Sequence, residues 1–225
     1  FLSSSDAYKI LVYNSKYAHS HSNYLGQIAD ILVEAGHNVT SLLPIIDSAV
    51  RDGTDHSHKI YVQPDPVVRE MFVNKMDNRR QEVFEMNMAN PIAPFFVSLY
   101  LCLTCVRVID EPGLLEILKE EKFDVMIVEN FDKCGIGISN RISPKSVIGV
   151  TSTFILGWHF SEWGIPQALS YRPTSLSSSL DVHSFFSRLY NLYGDVLCRL
   201  SFSFSRRSVN RALKEKFGPD YPSVA

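Results

Sequence analysis

A histidine and a carboxylate follow two separate strand-like segments of this 225-residue sequence. His21 stands in the polar stretch after residues 8–13, and Glu129 ends the apolar run that starts at Asp124. A carboxylate that accepts a hydrogen bond from an imidazole fixes its tautomer and stabilises the imidazolium that forms on proton uptake. The pair therefore predicts a general base, His21, oriented by Glu129.

The rest of the sequence bears on what such a base would activate. There is no G-x-S-x-G nucleophile elbow, and no cysteine has the surroundings of a nucleophile. A hydrolase triad would lack its attacking group, which leaves the hydroxyl of a substrate as the group to be deprotonated. His19, two residues earlier, is the alternative base on position alone.

Two histidine pairs have a spacing that can hold a metal ion. They are His19-Ser-His21 and His56-Ser-His58, and neither has a third ligand nearby in the sequence. We therefore expect no metal site.

Cys102-Leu-Thr-Cys105 has the CxxC spacing but lies inside the apolar run Phe95 to Ile109 and lacks a second pair. We expect these cysteines to be buried small hydrophobic residues with no metal or redox role. Neither G-x-G-x-x-G nor G-x-x-x-x-G-K-[ST] occurs, which argues against dinucleotide and P-loop nucleotide binding.

The first 44 residues have the pattern of one β-α-β unit. Residues 8–13 predict a buried strand, and a helix follows from Asn23, with Ser22 as its N-cap and Gly36 as its stop. Residues 38–43 predict the second strand.

Further strands are predicted at 124–129 and 146–150. Strands that alternate with helices in this way form a Rossmann-like parallel sheet flanked by helices, an α/β fold. Ligands bind such sheets beyond the carboxyl ends of the strands, where both His21 and Glu129 are expected.

Two longer stretches predict helices. Residues 66–121 are predicted to be mostly helical. In residues 181–217 apolar residues recur every three or four positions, which is typical of a long helix facing the core. Those apolar positions are Val182, Phe185, Phe186, Leu189, Leu192, Tyr193, Val196, Leu197 and Leu200.

The composition is that of an ordinary globular protein, 45% hydrophobic and 20% charged. The net charge is only −2 and no basic stripe is present, which argues against a nucleic-acid partner. Residues 1–7 resemble the tail of a secretory signal, and we expect residues 8–225 to form one domain. No run reaches the roughly 18 to 20 apolar residues that a membrane span needs.

Several segments carry a resemblance to a known family. They are Lys9-Ile-Leu-Val-Tyr13, His21-Ser-Asn-Tyr-Leu-Gly26 and Ala35-Gly-His-Asn-Val-Thr40, then Phe123 to Gly135, similar to F-D-x-x-x-x-D-x-x-x-x-C-G, and Ile165 to Pro173, similar to P-x-S-Y-x-P. Together they span nearly the whole chain. The sequence resembles the N-terminal half of UDP-glycosyltransferases of the UDP-glucuronosyltransferase type, invertebrate members in particular.

The resemblance implies a GT-B fold, in which two Rossmann-like halves enclose the active site and the N-terminal half binds the acceptor. The donor-binding half and a C-terminal membrane anchor are expected outside this chain. The resemblance also implies that the protein is located in the lumen of the endoplasmic reticulum, and it is compatible with a homo-oligomer.

For the site, the resemblance implies that His21 rather than His19 deprotonates the acceptor. Glu129 stands where the family has the acidic partner of that histidine. In vertebrate members this partner is an Asp, whose side chain is one methylene shorter than that of Glu129. Asp132 is the alternative partner. The acceptor-binding residues expected from the matched segments are Tyr24, Phe154, Trp158 and Phe160.

The implied reaction transfers a sugar from UDP-glucuronic acid or UDP-glucose to the hydroxyl of a lipophilic small molecule, with no other cofactor. One alternative is a noncatalytic truncated module that binds lipophilic molecules or associates with full-length transferases. Another is a generic α/β binding domain unrelated to transferases, which predicts that His21 and Glu129 lie far apart.

Overall fold

The fold is known from a computed structural model, which describes residues 7–70, 93–153, 155, 157–170, 172–174 and 184–224. Its strands are β1 Lys9–Tyr13, β2 Asn38–Pro44, β3 His58–Val62, β4 Val125–Glu129 and β5 Ser146–Val150. Its helices are α1 His19–Glu34, α2 Ala93–Asp110, α3 Leu114–Glu120, α4 Lys133–Ile142, α5 Gly157–Glu162 and α6 Phe185–Phe217.

The five strands form one parallel sheet in the order β3-β2-β1-β4-β5. β1 is central, since Ile10 pairs with Val39 of β2 on one side and with Val125 of β4 on the other. The predicted Rossmann-like parallel sheet flanked by helices is confirmed. The carboxyl ends of β1 and β4 are adjacent, so the loops that follow them meet at one edge.

Both faces of the sheet are covered, and β1 shows why. Its side chains alternate between faces because successive residues of a strand point to opposite sides. Ile10 and Val12 pack on the side of Leu25 and Ala29 in α1. Leu11 and Tyr13 belong to the larger core, with members such as Cys105, Ile138 and Val209 from α2, α4 and α6.

α1 begins earlier than its sequence pattern predicts. The helix starts at His19, with Ala18 at the N-cap and no side-chain capping bond, so the prediction of Ser22 as N-cap is wrong. Ser22 is instead a buried helical residue whose N–H bonds to the carbonyl of Ala18. The predicted stop at Gly36 is confirmed, where φ is +90°.

Gly26 of α1 faces Gly53 of the loop between β2 and β3, backbone against backbone. A Cβ added at position 26 would lie 2.0 Å from the Gly53 carbonyl, and one at position 53 would lie 2.0 Å from the Ser22 carbonyl. Both positions therefore require glycine, which gives a structural reason for the glycine that ends the segment His21 to Gly26. The contact presses this loop against the first half of α1.

The prediction that the apolar positions of residues 181–217 face the core is wrong for the first half of α6. The apolar side of that half is exposed, at Phe185, Phe186, Leu189, Leu192, Tyr193, Val196 and Leu200. The buried side carries smaller and polar residues, among them Gly194, Cys198 and Ser201. Small residues allow close approach to α2, where the hydroxyls of Ser98 and Ser201 are 3.1 Å apart. Val182 lies outside the described residues.

The prediction for the cysteines is also wrong in part. Cys105 of α2 forms a disulfide with Cys134 of α4, with their Cα atoms 5.3 Å apart, while Cys102 and Cys198 are free. The two partners come from separate parts of the sequence, so the CxxC spacing carried no signal for the bond. Of the predicted helical stretch 66–121, residues 66–70, α2 and α3 are helical, and 71–92 lie outside the described residues.

Within the described ranges, no helix has the length and hydropathy that crossing a bilayer requires.

Candidate active site

His21 and Glu129 meet at the carboxyl edge of the sheet. His21 lies in the first turn of α1, and Glu129 is the last residue of β4. His21 Nδ1 is 2.5 Å from Glu129 Oε1, and the two residues are only 7% and 3% exposed. Because an ionised carboxylate can only accept, Nδ1 carries the proton and the lone pair is on Nε2. The longer glutamate thus reaches the imidazole from the strand end.

Ser152 completes this contact and was not singled out from the sequence. Its hydroxyl donates to Glu129 Oε1 and lies 2.7 Å from His21 Nδ1, and its backbone N–H also donates to Glu129, at 3.3 Å. These donors hold the carboxylate oxygen toward the imidazole. Its position in the sequence could have indicated this role, because Ser152 lies two residues beyond the predicted strand 146–150 and therefore at the same edge of the sheet.

Tyr17 is the second residue that the sequence did not reveal. Its hydroxyl lies 2.5 Å from His21 Nε2, and its ring is 4.5 Å from the imidazole centroid. On its other side the ring stacks on Phe131, with centroids 5.5 Å apart and planes 9° apart. Burial, followed by the charges of Glu129 and Asp132, raises the pKa of Tyr17 well above its usual value, so the phenol stays neutral and donates to Nε2.

Asp132, the alternative carboxylate, has a different place. It is the N-cap of α4 and accepts a hydrogen bond from the Cys134 N–H at 2.9 Å. Burial raises its pKa to about 6, although the hydrogen bond from Cys134 acts in the opposite direction. The carboxylate in hydrogen-bond contact with His21 is therefore that of Glu129.

Of the four predicted acceptor-binding residues, only Tyr24 and Phe160 have described side chains, and no described contact joins these two. Tyr24 is 37% exposed on α1, and the ring of Phe160 lies under the Arg172 guanidinium at 4.3 Å. Phe154 and the side chain of Trp158 lie outside the described residues. Their roles stay predictions.

α5, which contains part of this aromatic segment, is tied to the edge of the sheet by a buried ion pair. Lys133 Nζ at the start of α4 lies 2.6 Å from Glu162 Oε2 at the end of α5. Burial, together with the charge of Lys133, lowers the pKa of the neighbouring His159 to about 4, so this imidazole is neutral at physiological pH.

His19 is exposed on the first turn of α1, away from the buried position of His21. Among the residues with described positions, no three His, Cys, Asp or Glu side chains gather where they could hold a metal ion.

Asp52 anchors the loop that leads into α1. Its carboxylate binds the largely buried Lys16 at 2.8 Å and accepts a hydrogen bond from Tyr61 at 2.6 Å. Burial alone would raise the pKa of Asp52, but the hydrogen bonds from Lys16 and Tyr61 outweigh it and lower the pKa to about 2. Lys16 directly precedes Tyr17, so this ion pair also fixes the loop next to His21.

Because the folded-state pKa of Asp52 is lowered, its contribution to stability is present above about pH 4 and lost as the pH falls toward 2. We expect Asp52→Asn to reduce the free energy of unfolding at pH 7 by about 1–2 kcal/mol. Urea unfolding between pH 7 and pH 3 should show this difference shrinking at the acid end. Asp55→Asn, at an exposed carboxylate nearby, is the control; a deficit in Asp52→Asn that does not change with pH would contradict the assignment.

Comparisons with known proteins find relatives over most of the chain. Residues 8–219 match the UDP-glucuronosyl and UDP-glucosyl transferase family, UDPGT. The chain is 29% identical to human UDP-glucuronosyltransferase 3A2, over 95% of this chain and 40% of that protein. Two putative UDP-glucuronosyltransferases of Caenorhabditis elegans are also similar. The protein ugt-47 is 27% identical, over 97% of this chain and 41% of that protein. The protein ugt-56 is 30% identical, over 83% of this chain and 36% of that protein.

The chain thus spans about two fifths of the length of these relatives, and it aligns with them over most of its own length. The matched region contains the parallel sheet, His21 and Glu129. The chain belongs to the UDP-glucuronosyl and UDP-glucosyl transferase family.

Proposed function

We propose that this chain supplies the acceptor site and the catalytic base of a UDP-sugar glycosyltransferase. His21 Nε2 takes the proton of an acceptor hydroxyl while the Glu129 carboxylate holds the imidazole and stabilises its positive charge. The acceptor oxygen bonds to the anomeric carbon as the bond from that carbon to UDP breaks. UDP leaves with the electron pair, and the configuration at the anomeric carbon inverts.

The contact between His21 and Glu129 is the observation that supports this function most strongly. It joins residues 108 positions apart at the edge of the sheet where α/β proteins bind ligands. A buried imidazole whose Nδ1–H donates a hydrogen bond to a carboxylate can accept a proton at Nε2. The generic α/β binding domain, which predicts that the two residues lie far apart, does not account for the contact.

The proposed donor is UDP-glucuronic acid or UDP-glucose, and no further cofactor is needed. The relatives' names favour glucuronic acid. The proposed acceptor is a lipophilic small molecule with a hydroxyl group, contacted by the aromatic residues Tyr24, Phe154, Trp158 and Phe160. Aromatic side chains offer large apolar contact area together with orientational preference, which suits such acceptors.

We place the protein in the lumen of the endoplasmic reticulum. The disulfide between Cys105 and Cys134 supports this compartment, because disulfides persist in oxidising environments and are rare in the cytosol.

Glu129→Gln in the full-length transferase tests the proposal. The amide cannot stabilise the imidazolium, so we expect kcat to fall about 10- to 100-fold with little change in KM for the acceptor, as loss of a charge-assisted hydrogen bond of about 1.5–3 kcal/mol implies. Glu129→Asp keeps the charge and should retain more activity than Glu129→Gln. Initial rates over a range of acceptor concentrations would separate the two parameters.

Asp132→Asn is the matched comparison at the other buried carboxylate of this edge. Near-normal turnover in Glu129→Gln together with a large loss in Asp132→Asn would reassign the partner of His21. Near-normal turnover in both variants would refute the proposal that a carboxylate supports the catalytic base.

A further inference from the structure

Tyr17 occupies the side of His21 at which the acceptor would have to react. Its hydroxyl hydrogen-bonds to Nε2 at 2.5 Å, while Nδ1 is engaged by Glu129. A general base must come within about 2.6–3.2 Å of the oxygen whose proton it takes. An acceptor oxygen and the Tyr17 hydroxyl cannot hold that position together.

Tyr17 is the partner that can move. His21 is fixed by α1 and by Glu129, whereas Tyr17 precedes the N-cap of α1 and is only partly buried. Swinging its side chain away from the imidazole breaks the hydrogen bond to Nε2, the stacked contact with Phe131 and the packing against the cluster of Ile46, Val68 and Leu101. Each of these interactions is of ordinary strength, so the displacement is within reach of a bound ligand.

We propose that Tyr17 is a specificity-determining residue: its hydroxyl covers the base until an acceptor displaces it, which keeps His21 from activating water. This inference rests on the proposed function. An acceptor with an apolar body can replace both the hydrogen bond to Nε2 and the contact on Phe131. A water molecule can replace only the hydrogen bond, so it displaces Tyr17 less readily.

The reaction that Tyr17 suppresses is hydrolysis of the donor. In that reaction a water oxygen bonds to the anomeric carbon, His21 takes a proton from the water, and the bond from carbon to UDP breaks with the electron pair leaving on UDP. The products are the free sugar and UDP. No co-reactant beyond water and the UDP-sugar is involved.

The effect can be measured with Tyr17→Phe in the full-length transferase. This variant keeps the ring on Phe131 but leaves Nε2 open to water. UDP release from UDP-glucuronic acid, or from UDP-glucose if that is the donor used, is followed without any acceptor. We expect it to rise about 5-fold relative to wild type, which corresponds to one ordinary hydrogen bond of about 1 kcal/mol.

Tyr221→Phe is the matched control, because it removes a tyrosine hydroxyl that donates to the Gly137 carbonyl of α4 and has no described contact with His21. It should leave acceptor-free UDP release unchanged. If release does not rise in Tyr17→Phe, or rises equally in Tyr221→Phe, the inference is overturned.

A second readout uses the 225-residue chain and needs no donor. In ¹⁵N spectra of the histidine side chains, the Nε2 resonance of His21 should shift in Tyr17→Phe and stay in place in Tyr221→Phe. An unchanged Nε2 resonance would show that the hydroxyl does not cover the base.

The two proposals can be refuted separately. Sugar transfer that survives the loss of His21 refutes the base, whereas unchanged hydrolysis in an enzyme that depends on His21 refutes only the role of Tyr17.

Discussion

With the proposed function, replacing His21 with alanine in the full-length transferase should lower kcat for sugar transfer by about 10²- to 10⁴-fold, the range that a positioned general base contributes. His21 is buried at the carboxyl edge of the sheet with Nδ1 held by Glu129, and no described contact gives another imidazole that partner. Without it, the acceptor hydroxyl keeps its proton until late in the attack on the anomeric carbon. The loss should therefore appear in kcat.

The measurement is the steady-state rate of UDP formation at saturating UDP-sugar over a range of acceptor concentrations, with acceptor affinity checked separately by calorimetry. We expect acceptor binding within a few-fold of wild type, since the proposed base would contribute only one hydrogen bond to the bound acceptor. A variant that binds its acceptor and does not transfer sugar would separate catalysis from binding.

His19→Ala is the matched control, because His19 lies two residues earlier in the same helical turn and is exposed. It should retain near-normal turnover. Near-normal turnover in His21→Ala would refute the base assignment, and a loss confined to His19→Ala would transfer it to the neighbouring histidine.

Removing the disulfide between Cys105 and Cys134 should reduce the free energy of unfolding by roughly 3–4 kcal/mol. The bond closes a loop with a sequence separation of 29 residues, and the chain-entropy relation gives a value of this size for such a loop. It also joins α2 to the first turn of α4, which directly follows the strand end that carries Glu129. Reduction should therefore loosen the active-site edge.

Urea unfolding with and without dithiothreitol measures the effect. Thiol titration of the denatured protein should find two reactive thiols, Cys102 and Cys198, before reduction and four after it. Cys102→Ala leaves the bond intact and should shift stability by much less than reduction does. Four reactive thiols before reduction would contradict the bond.

Most of the sheet could be predicted from local patterns. The runs 8–13, 124–129 and 146–150 have the length and side-chain types of buried strands, and all three lie in the parallel sheet. Because parallel strands need crossovers, the alternation with helices also predicts that their carboxyl ends share one edge. His21 and Glu129 could be nominated from that rule before any distance was known.

The long helix α6 shows where such patterns fail. The apolar spacing from Phe185 to Leu200 predicts one apolar side of a helix, and that side exists, but it is exposed. Periodicity reports which residues share a side, not what the side faces. Ser201 on the other side of α6 packs closely against Ser98 of α2, because small residues allow two helices to pack at short distance.

Four of the five strands, most of the described helices, the stop at Gly36 and the candidate base were therefore predictable from the sequence, because each depends on residues near in sequence. The strand β3 was not predicted. The contact of Glu129 with His21 was predicted from the sheet edge, but the other contacts of the imidazole were not: Ser152 on Nδ1 and Tyr17 on Nε2. Glu129 and Ser152 lie more than 100 positions from His21, and the register of β1 with β4 and of β4 with β5 brings them within reach. Even Tyr17, only four positions away, reaches Nε2 because the loop before α1 is held by Lys16 and Asp52. Such pairings depend on the relative placement of whole elements, which hydrophobic periodicity does not specify.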